Sequence, residues 1–460
     1  MQHPFEPKRQ PMFDGGSLNR RDWMKLCAAG AVGTSVSGWF GAFANDVAAR
    51  TDRRRSCILL WMSGGPSQID TFDLKPGHAN GGTFQEIETA VPGMKFSQHL
   101  PRLAKLSNHL AVVRSMSTKE GDHSRATLLA HCGYMPQGPV QYPTFGSLIA
   151  NELGREGAEL PNFVSIAPNR AISPASYDPG FLGAQLAPLV VGNGAAVPNG
   201  AANQMEASND LKVQDLEPSK EIPSKTLETR LTRLRSMNGR FFENFSGPPA
   251  QSYNAAYEHA VRLMRSEAAS AFSLDQEPDV VREAYGKNRF GQGCLLARRL
   301  IERNVPFVEI TLGGIDQQIL GWDTHAENFD KIKQLSQVLD SGWGTLIEEL
   351  RDRGRLDDTL IVWMGEFGRT PKINPQGGRD HYPQVWSTVL AGGGIQGGQT
   401  IGRTSADGME VEDRPVAIPD LLATICQGLG IDPMKSNISN VGRPIRLVDP
   451  AAKALKEIVG

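Results

Sequence analysis

The chain has 460 residues, 40% of them hydrophobic and 21% charged, with a formal net charge of -2, a balance that offers no basic surface to recruit nucleic acid. Its length fits one large α/β domain with insertions or two domains, and the 49 glycines and 30 prolines indicate many shaped loops. The five cysteines, Cys27, Cys57, Cys132, Cys294 and Cys426, have no paired spacing, which argues against a zinc knuckle or a disulfide scaffold.

The stretch "NRRDWMKLCAAGAVGTSVSGWFGAFA" sets Arg20-Arg21 and Lys25 before a mildly apolar run from Leu26 to Phe43, closed by Ala42-Phe43-Ala44. That order of features reads as a twin-arginine export signal over residues 1–44, with an amphipathic N-terminal helix as the alternative. The expectation is a periplasmic or secreted protein whose partner is the twin-arginine export machinery. No later stretch reaches the roughly 20 apolar residues that a membrane span needs.

A main domain is expected over 53–460. "SCILLWM" reads as a buried strand that breaks at "SGGPSQIDTFD", a turn carrying Ser67, Asp70 and Asp73. "LAVVRS", from Leu110, is a second strand; it empties into "MSTKEGDHSR", and "ATLLAHCG" then has helical composition. "FVSI" at Phe163 and "LAPLVVG" at Leu186 continue the pattern, and a helical insertion is expected at about 201–291. "GCLLARRLIERNVPFVEITLGG" restores helix followed by strand and leads to "GWDTHAENFD". Phe329, Ile332, Leu335, Leu339, Trp343, Leu346 and Leu350 recur at steps of three or four, as in one long amphipathic helix. "TLIVWM" is the next strand, and it delivers Glu366. Such alternation predicts an α/β fold with a largely parallel central sheet and helices on both faces, in which functional residues collect past the carboxyl ends of the strands.

Four polar clusters fit that rule. Asp323 and His325 in a loop can turn toward one ion, since carboxylate oxygen and imidazole nitrogen suit a divalent transition metal; capping of the following helix explains the Asp but not the His. Glu366, held just after a strand, suits a metal ligand or general base, with an ion pair to Arg369 as the plainer reading. Asp380-His381 offers one group to complete a metal shell and one to orient it, while Arg369 and Arg379 have the forked geometry to hold an anion. In "GDHSR", Asp122 and His123 are candidate catalytic or metal-binding groups and Arg125 a candidate substrate contact. Ser124 there is a candidate nucleophile, or simply part of a helix start.

These clusters, in this order, resemble the alkaline phosphatase and sulfatase superfamily. "GRLDDTLIVWMGEFG", Gly354 to Gly368, looks like the segment where a strand ends in a metal-binding Asp followed by His or Asn; Glu366 falls at the Asp position and Phe367 at the second. Asp323 and His325 would fill the place of the superfamily's Asp and His, and His381 that of its late metal-binding histidine. "SRATLLAHCGYMP" looks like the sulfatase stretch that begins Ser-Arg, but the position of the cysteine converted to formylglycine is Gly121. More closely, "LLWMSGGPSQIDTFDLKPG", "GWDTHAENFD", "GEFGRTPKIN" and "GRDHYP" resemble the group carrying domain of unknown function 1501.

The resemblance implies an alkaline phosphatase-like fold and one or two divalent ions, zinc first and manganese or calcium as alternatives. It implies an exported hydrolase of phosphate or sulfate esters, not of the formylglycine type, acting on an anionic small molecule or a sulfated or phosphorylated glycan. The alternative is a non-catalytic member that binds a glycan or a protein. Asp70 or Asp73 is the candidate replacement for the metal-binding Asp that the superfamily carries after its first strand.

Overall fold

Strands that are apolar at every position belong inside a sheet covered on both faces, and that is where the sequence puts them. The computed structural model describes residues 54–135, 138–192, 211–214, 216, 222–244, 247–315 and 320–460; the export segment expected over residues 1–44 and part of the expected insertion lie outside the described residues. The central sheet contains β1 (Ser56–Met62), β2 (Leu110–Met116), β3 (Phe163–Ile166), β4 (Leu189–Val191), β5 (Phe307–Leu312), β6 (Thr359–Met364), β7 (Trp386–Ala391) and β8 (Gln399–Ile401). Their order is β8-β2-β7-β6-β1-β5-β3-β4. Neighbours are parallel except β7, which is antiparallel to both β2 and β6. The reversal has a local cause: Gly368–Arg369 pairs antiparallel with His381–Tyr382, so the chain turns back in a hairpin instead of a helical crossover.

The two faces follow from the strand alternation. Ile58, Leu60 and Met62 meet α5 (Arg289–Glu302) and α6 (Asn328–Asp352) through Leu296, Leu300, Leu335, Leu339 and Trp343. Cys57 and Trp61 face the other layer, where α1 (His123–Cys132), α2 (Phe145–Leu153) and α7 (Ile418–Gly428) supply Ala130, Leu148 and Leu422. Two further helices, α3 (Ser224–Asn244) and α4 (Pro248–Arg265), precede α5 in the chain. Among the described residues, no helix is long and apolar enough to cross a membrane.

Register brings the loops together. Trp61 lies opposite Thr311 on one side and Met364 on the other, so β1, β5 and β6 end at one level of the sheet. The loops after them, the loop after β2 and the hairpin before β7 therefore emerge along a single edge. That edge is the carboxyl side of the parallel strands, where α/β sheets place their ligands.

A buried ion pair ties these loops to one another. Arg379 and Asp70 are both fully enclosed, with Arg379 Nε 2.7 Å from Asp70 Oδ2 and Nη2 3.0 Å from Oδ1. Asn328 Nδ2 donates to Asp70 Oδ2 at 2.8 Å, and the remaining guanidinium donors reach the carbonyls of Thr370, Pro371 and Asn80. The loops after β1, β5 and β6 thus share one fully satisfied charge cluster, the condition under which buried ions are tolerated. Asp70→Ala is expected to lower stability by about 3–5 kcal/mol, because it strands a buried guanidinium, whereas Asp70→Leu with Arg379→Met restores most of that loss. Denaturant unfolding of the two variants checks this; equal destabilisation by both would show that the pair is not what the loops rest on.

Candidate metal centre

Close backbone approach sets the floor of the site. Gly64 has φ of +114°, and a Cβ there would lie 2.5 Å from the Asp323 nitrogen, so only glycine lets the loop after β1 sit against Asp323. Gly65, at φ +77°, would likewise place a Cβ 2.9 Å from the Phe367 ring. Trp322 N donates to Ser63 O at 3.2 Å, which fixes the loop after β5 against this turn. His123 is the first residue of α1, and His381 lies beside Arg369 in the short hairpin.

Three imidazoles converge on one carboxylate oxygen. Asp323 Oδ1 is 3.4 Å from His123 Nε2, 3.1 Å from His325 Nε2 and 3.3 Å from His381 Nε2. The Nε2 atoms of His325 and His381 are 3.1 Å apart. Each ring is anchored from behind by its other nitrogen: His123 Nδ1 to Glu366 Oε1 at 2.7 Å, His325 Nδ1 to Asp380 Oδ1 at 2.7 Å, and His381 Nδ1 to the Gly121 carbonyl at 2.8 Å. Carboxylates and carbonyls only accept, so each Nδ1 carries the proton and donates it. In the neutral rings the Nε2 lone pairs then all point at an oxygen that is itself an acceptor. Four electron-rich atoms facing one another need positive charge among them: the Arg369 guanidinium meets the Asp323 oxygen from one side, and protons or a metal ion can meet the imidazoles. Acceptor groups that orient the imidazoles from behind are the arrangement found around metal-binding histidines. Of these donors, His123, Asp323 and His381 all lie within 4.8 Å of one another.

The expected site residues fall into two groups. His123, Asp323, His325, Glu366, Arg369, Asp380 and His381 come together. Within that set, Glu366 and Asp380 stand behind His123 and His325 instead of joining the convergent atoms: Glu366 Oε1 also accepts from Gly64 N at 2.9 Å, and Asp380 Oδ1 accepts from Asn374 Nδ2 at 3.2 Å. Arg369 does not pair with Glu366. Its buried guanidinium lies 2.5 Å from Asp323 Oδ1 and donates to the carbonyls of Gly64, Gly65 and Arg379, leaving no open fork for a ligand.

Arg379 is likewise enclosed, spent on Asp70. Asp70 therefore does not reach the centre, nor does Asp73, which is held by Lys75 and Thr404. Asp122 caps α1 by accepting from Arg125 N, Ser124 is exposed on the first turn of that helix, and Arg125 pairs with Glu120. The sequence reading did not single out Asn374, the Gly121 carbonyl or the Asp70–Arg379 pair. The "GRDHYP" and "GDHSR" motifs lie next to all but Asp70, whose pairing depends on the tertiary fold.

Electrostatics reinforce the cluster. Burial alone would lower the His123 pKa, but hydrogen bonds to Asp323 and Glu366 and their charges push it up to about 9. Burial alone would raise that of Asp323, but His123, His381 and Arg369 hold it far below the usual carboxylate range. The hydrogen bond from His325 lowers that of Asp380. In the metal-free state, a proton on His123 and the Arg369 guanidinium supply positive charge beside Asp323.

The chain belongs to the family described as "Protein of unknown function (DUF1501)", whose family model matches residues 54–459. No curated protein matches it. Among solved structures, it is similar to a sulfatase from Pseudoalteromonas sp., with 12% identity, 84% of this chain and 70% of that chain covered, and a TM-score of 0.38. A lipoteichoic acid synthase from Listeria monocytogenes matches with 10% identity, covering 87% and 76% of the two chains at a TM-score of 0.37. A phosphonate monoester hydrolase of Agrobacterium radiobacter matches with 12% identity, covering 88% and 76% at 0.36.

The raised pKa of His123 makes the metal-free fold pH-dependent. A group whose pKa rises from 6.5 to about 9 on folding contributes stability that is complete below pH 6.5 and lost as pH rises through 9. The urea midpoint of metal-free protein is expected to fall across that window, and His123→Gln to flatten the fall. An unchanged slope in the variant would show that His123 is not held between Asp323 and Glu366.

Proposed function

We propose that this protein is an exported, metal-dependent hydrolase of phosphate or sulfate esters or a related anionic substrate. The observation that carries the reading is the convergence of His123, His325 and His381 Nε2 on Asp323 Oδ1, with every Nδ1 anchored to an acceptor. Three imidazoles and one carboxylate fit zinc well and manganese acceptably. They do not fit calcium, which takes six to eight oxygen ligands. A divalent ion held there supplies Lewis-acid chemistry, polarising an ester oxygen. Asp323, His123, His325 and His381 would hold it; Glu366, Asp380 and the Gly121 carbonyl would aim the imidazoles. With Arg369 and Arg379 committed to the framework, an anionic group would be met by the ion and not by a guanidinium clamp. The nucleophile would be a water, with Ser124 as the covalent alternative. Export is supported by Arg20-Arg21, the Leu26–Phe43 run and the Ala42-Phe43-Ala44 sequence.

The burial of both arginines favours a second reading, a non-catalytic member that uses the centre to bind a glycan or a protein. Full chain loaded with zinc and assayed on aryl phosphates and aryl sulfates separates the two. The hydrolase reading expects turnover that disappears in His325→Ala, His381→Ala together with the bound zinc; metal without turnover on any of the panel selects the binding reading. Metal-free protein whose zinc uptake is unmoved by those changes would falsify both uses of the centre. Asp380→Asn, which keeps the shape but weakens the anchor of His325, is expected to lower zinc affinity roughly 10–100-fold.

A further inference from the structure

We propose that Phe367 limits this centre to a single metal ion; the inference rests on the metal-binding reading above. The Phe367 side chain is fully buried, and its ring centroid lies 4.9 Å from that of His123 and 4.7 Å from that of His381. Those two imidazoles are themselves 4.4 Å apart and close to perpendicular, at 75°. The phenyl ring is therefore a wall that both imidazoles lean on, held from behind by the close approach of Gly65. Arg369 Cζ sits 5.8 Å from the same ring centroid, adding a positive charge on this side that disfavours a further cation.

The supply of ligand atoms agrees. Two-ion sites place their metals about 3.5–4 Å apart and need a donor set for each. Here Glu366 Oε1 is shared by His123 Nδ1 and Gly64 N, and Asp380 Oδ1 by His325 Nδ1 and Asn374 Nδ2. Glu366 Oε2 is buried without a hydrogen-bond partner. It is one oxygen next in sequence to a phenyl ring that donates nothing, which is too little to hold an ion alone. A carboxylate or imidazole at position 367, where the phenyl ring now lies against His123 and His381, would add a donor on this closed side of the centre. One side chain thus decides between one ion and two, and it also keeps the planes of His123 and His381 fixed for the ion that remains.

The test is zinc stoichiometry on the purified full chain, by titration and elemental analysis, with circular dichroism to confirm folding. Cobalt(II) absorption reports the geometry of each ion independently of activity. The wild type and Phe367→Leu are expected to saturate at one ion per chain, and Phe367→Asp or Phe367→His to gain a second, weaker one. Two zinc ions in the wild type, both lost in Asp323→Ala, would overturn the single-ion inference while leaving the metal-binding reading intact. No zinc in any variant would overturn that reading and this inference with it. Folded Phe367→Asp and Phe367→His proteins that both stay at one ion would show that Phe367 is not the limit.

Discussion

Charge buried without water must be met by the protein, and the Arg379–Asp70 pair is where this chain meets that demand most completely. Removing two such ions from water costs several kcal/mol each. The cost is offset here because the fork-to-carboxylate contact is bidentate and the remaining donors find the carbonyls of Thr370, Pro371 and Asn80. Thr370 and Pro371 follow β6, Asn80 follows β1 and Asn328 opens α6, so the pair can be satisfied only when these segments have arrived together. Arg379 N also donates to Thr324 O at 2.9 Å, which brings the Asp323–His325 loop under the same constraint. The placement of His325 and His381 follows from this closure, while His123 enters from the start of α1.

Against that framework, the cluster at Asp323 is arranged at odds with local stability. Its acceptors face one another, and in the metal-free state protonation of His123 and the guanidinium of Arg369 balance Asp323. Packing alone gives no reason to aim three Nε2 atoms at one oxygen, since each would be better satisfied by a donor elsewhere. Places where local rules are broken while the surroundings are well satisfied are those where function is expected. Arg379 has its charge matched group for group by neutral and acidic partners, whereas the imidazoles are balanced in the metal-free state only through the proton on His123 and the Arg369 guanidinium.

Much of this was legible in the sequence because strand ends announce themselves. Apolar runs broken by Gly and followed by acids located the loops with Asp323 and Glu366, the Gly-rich "GRDHYP" pointed to Asp380, and the step of three and four identified the long helix Asn328–Asp352. Two kinds of fact were not legible. One is the division of labour among neighbours: Asp122, His123 and Ser124 are consecutive at a helix start, and only the fold shows that the first caps, the second turns inward and the third faces solvent. The other is long-range pairing. Arg379 and Asp70 are 309 residues apart, and nothing in "GRDHYP" distinguishes an arginine waiting for an anionic ligand from one already spent on an aspartate. The antiparallel β7 was hidden for a related reason: its apolar run reads the same in either direction, and the hairpin that reverses it is made of two-residue strands.

The geometry also constrains how a ligand arrives. Exposure rises across the cluster, from 14% for the His123 side chain to 46% for His325 and 54% for Asp380, so the centre is closed on the Phe367 and Glu366 side and open on the His325 side. At that mouth stands Asp380, a negative charge held in place by His325 and Asn374, which opposes an approaching anion. Arg125, on the first turn of the His123 helix, is neutralised by Glu120. On the proposed reading, attraction for an anionic group would come from an ion at the centre itself, acting at short range. A substrate bound this way would be held by its reacting group, leaving the rest of the molecule to contacts at the rim around His325.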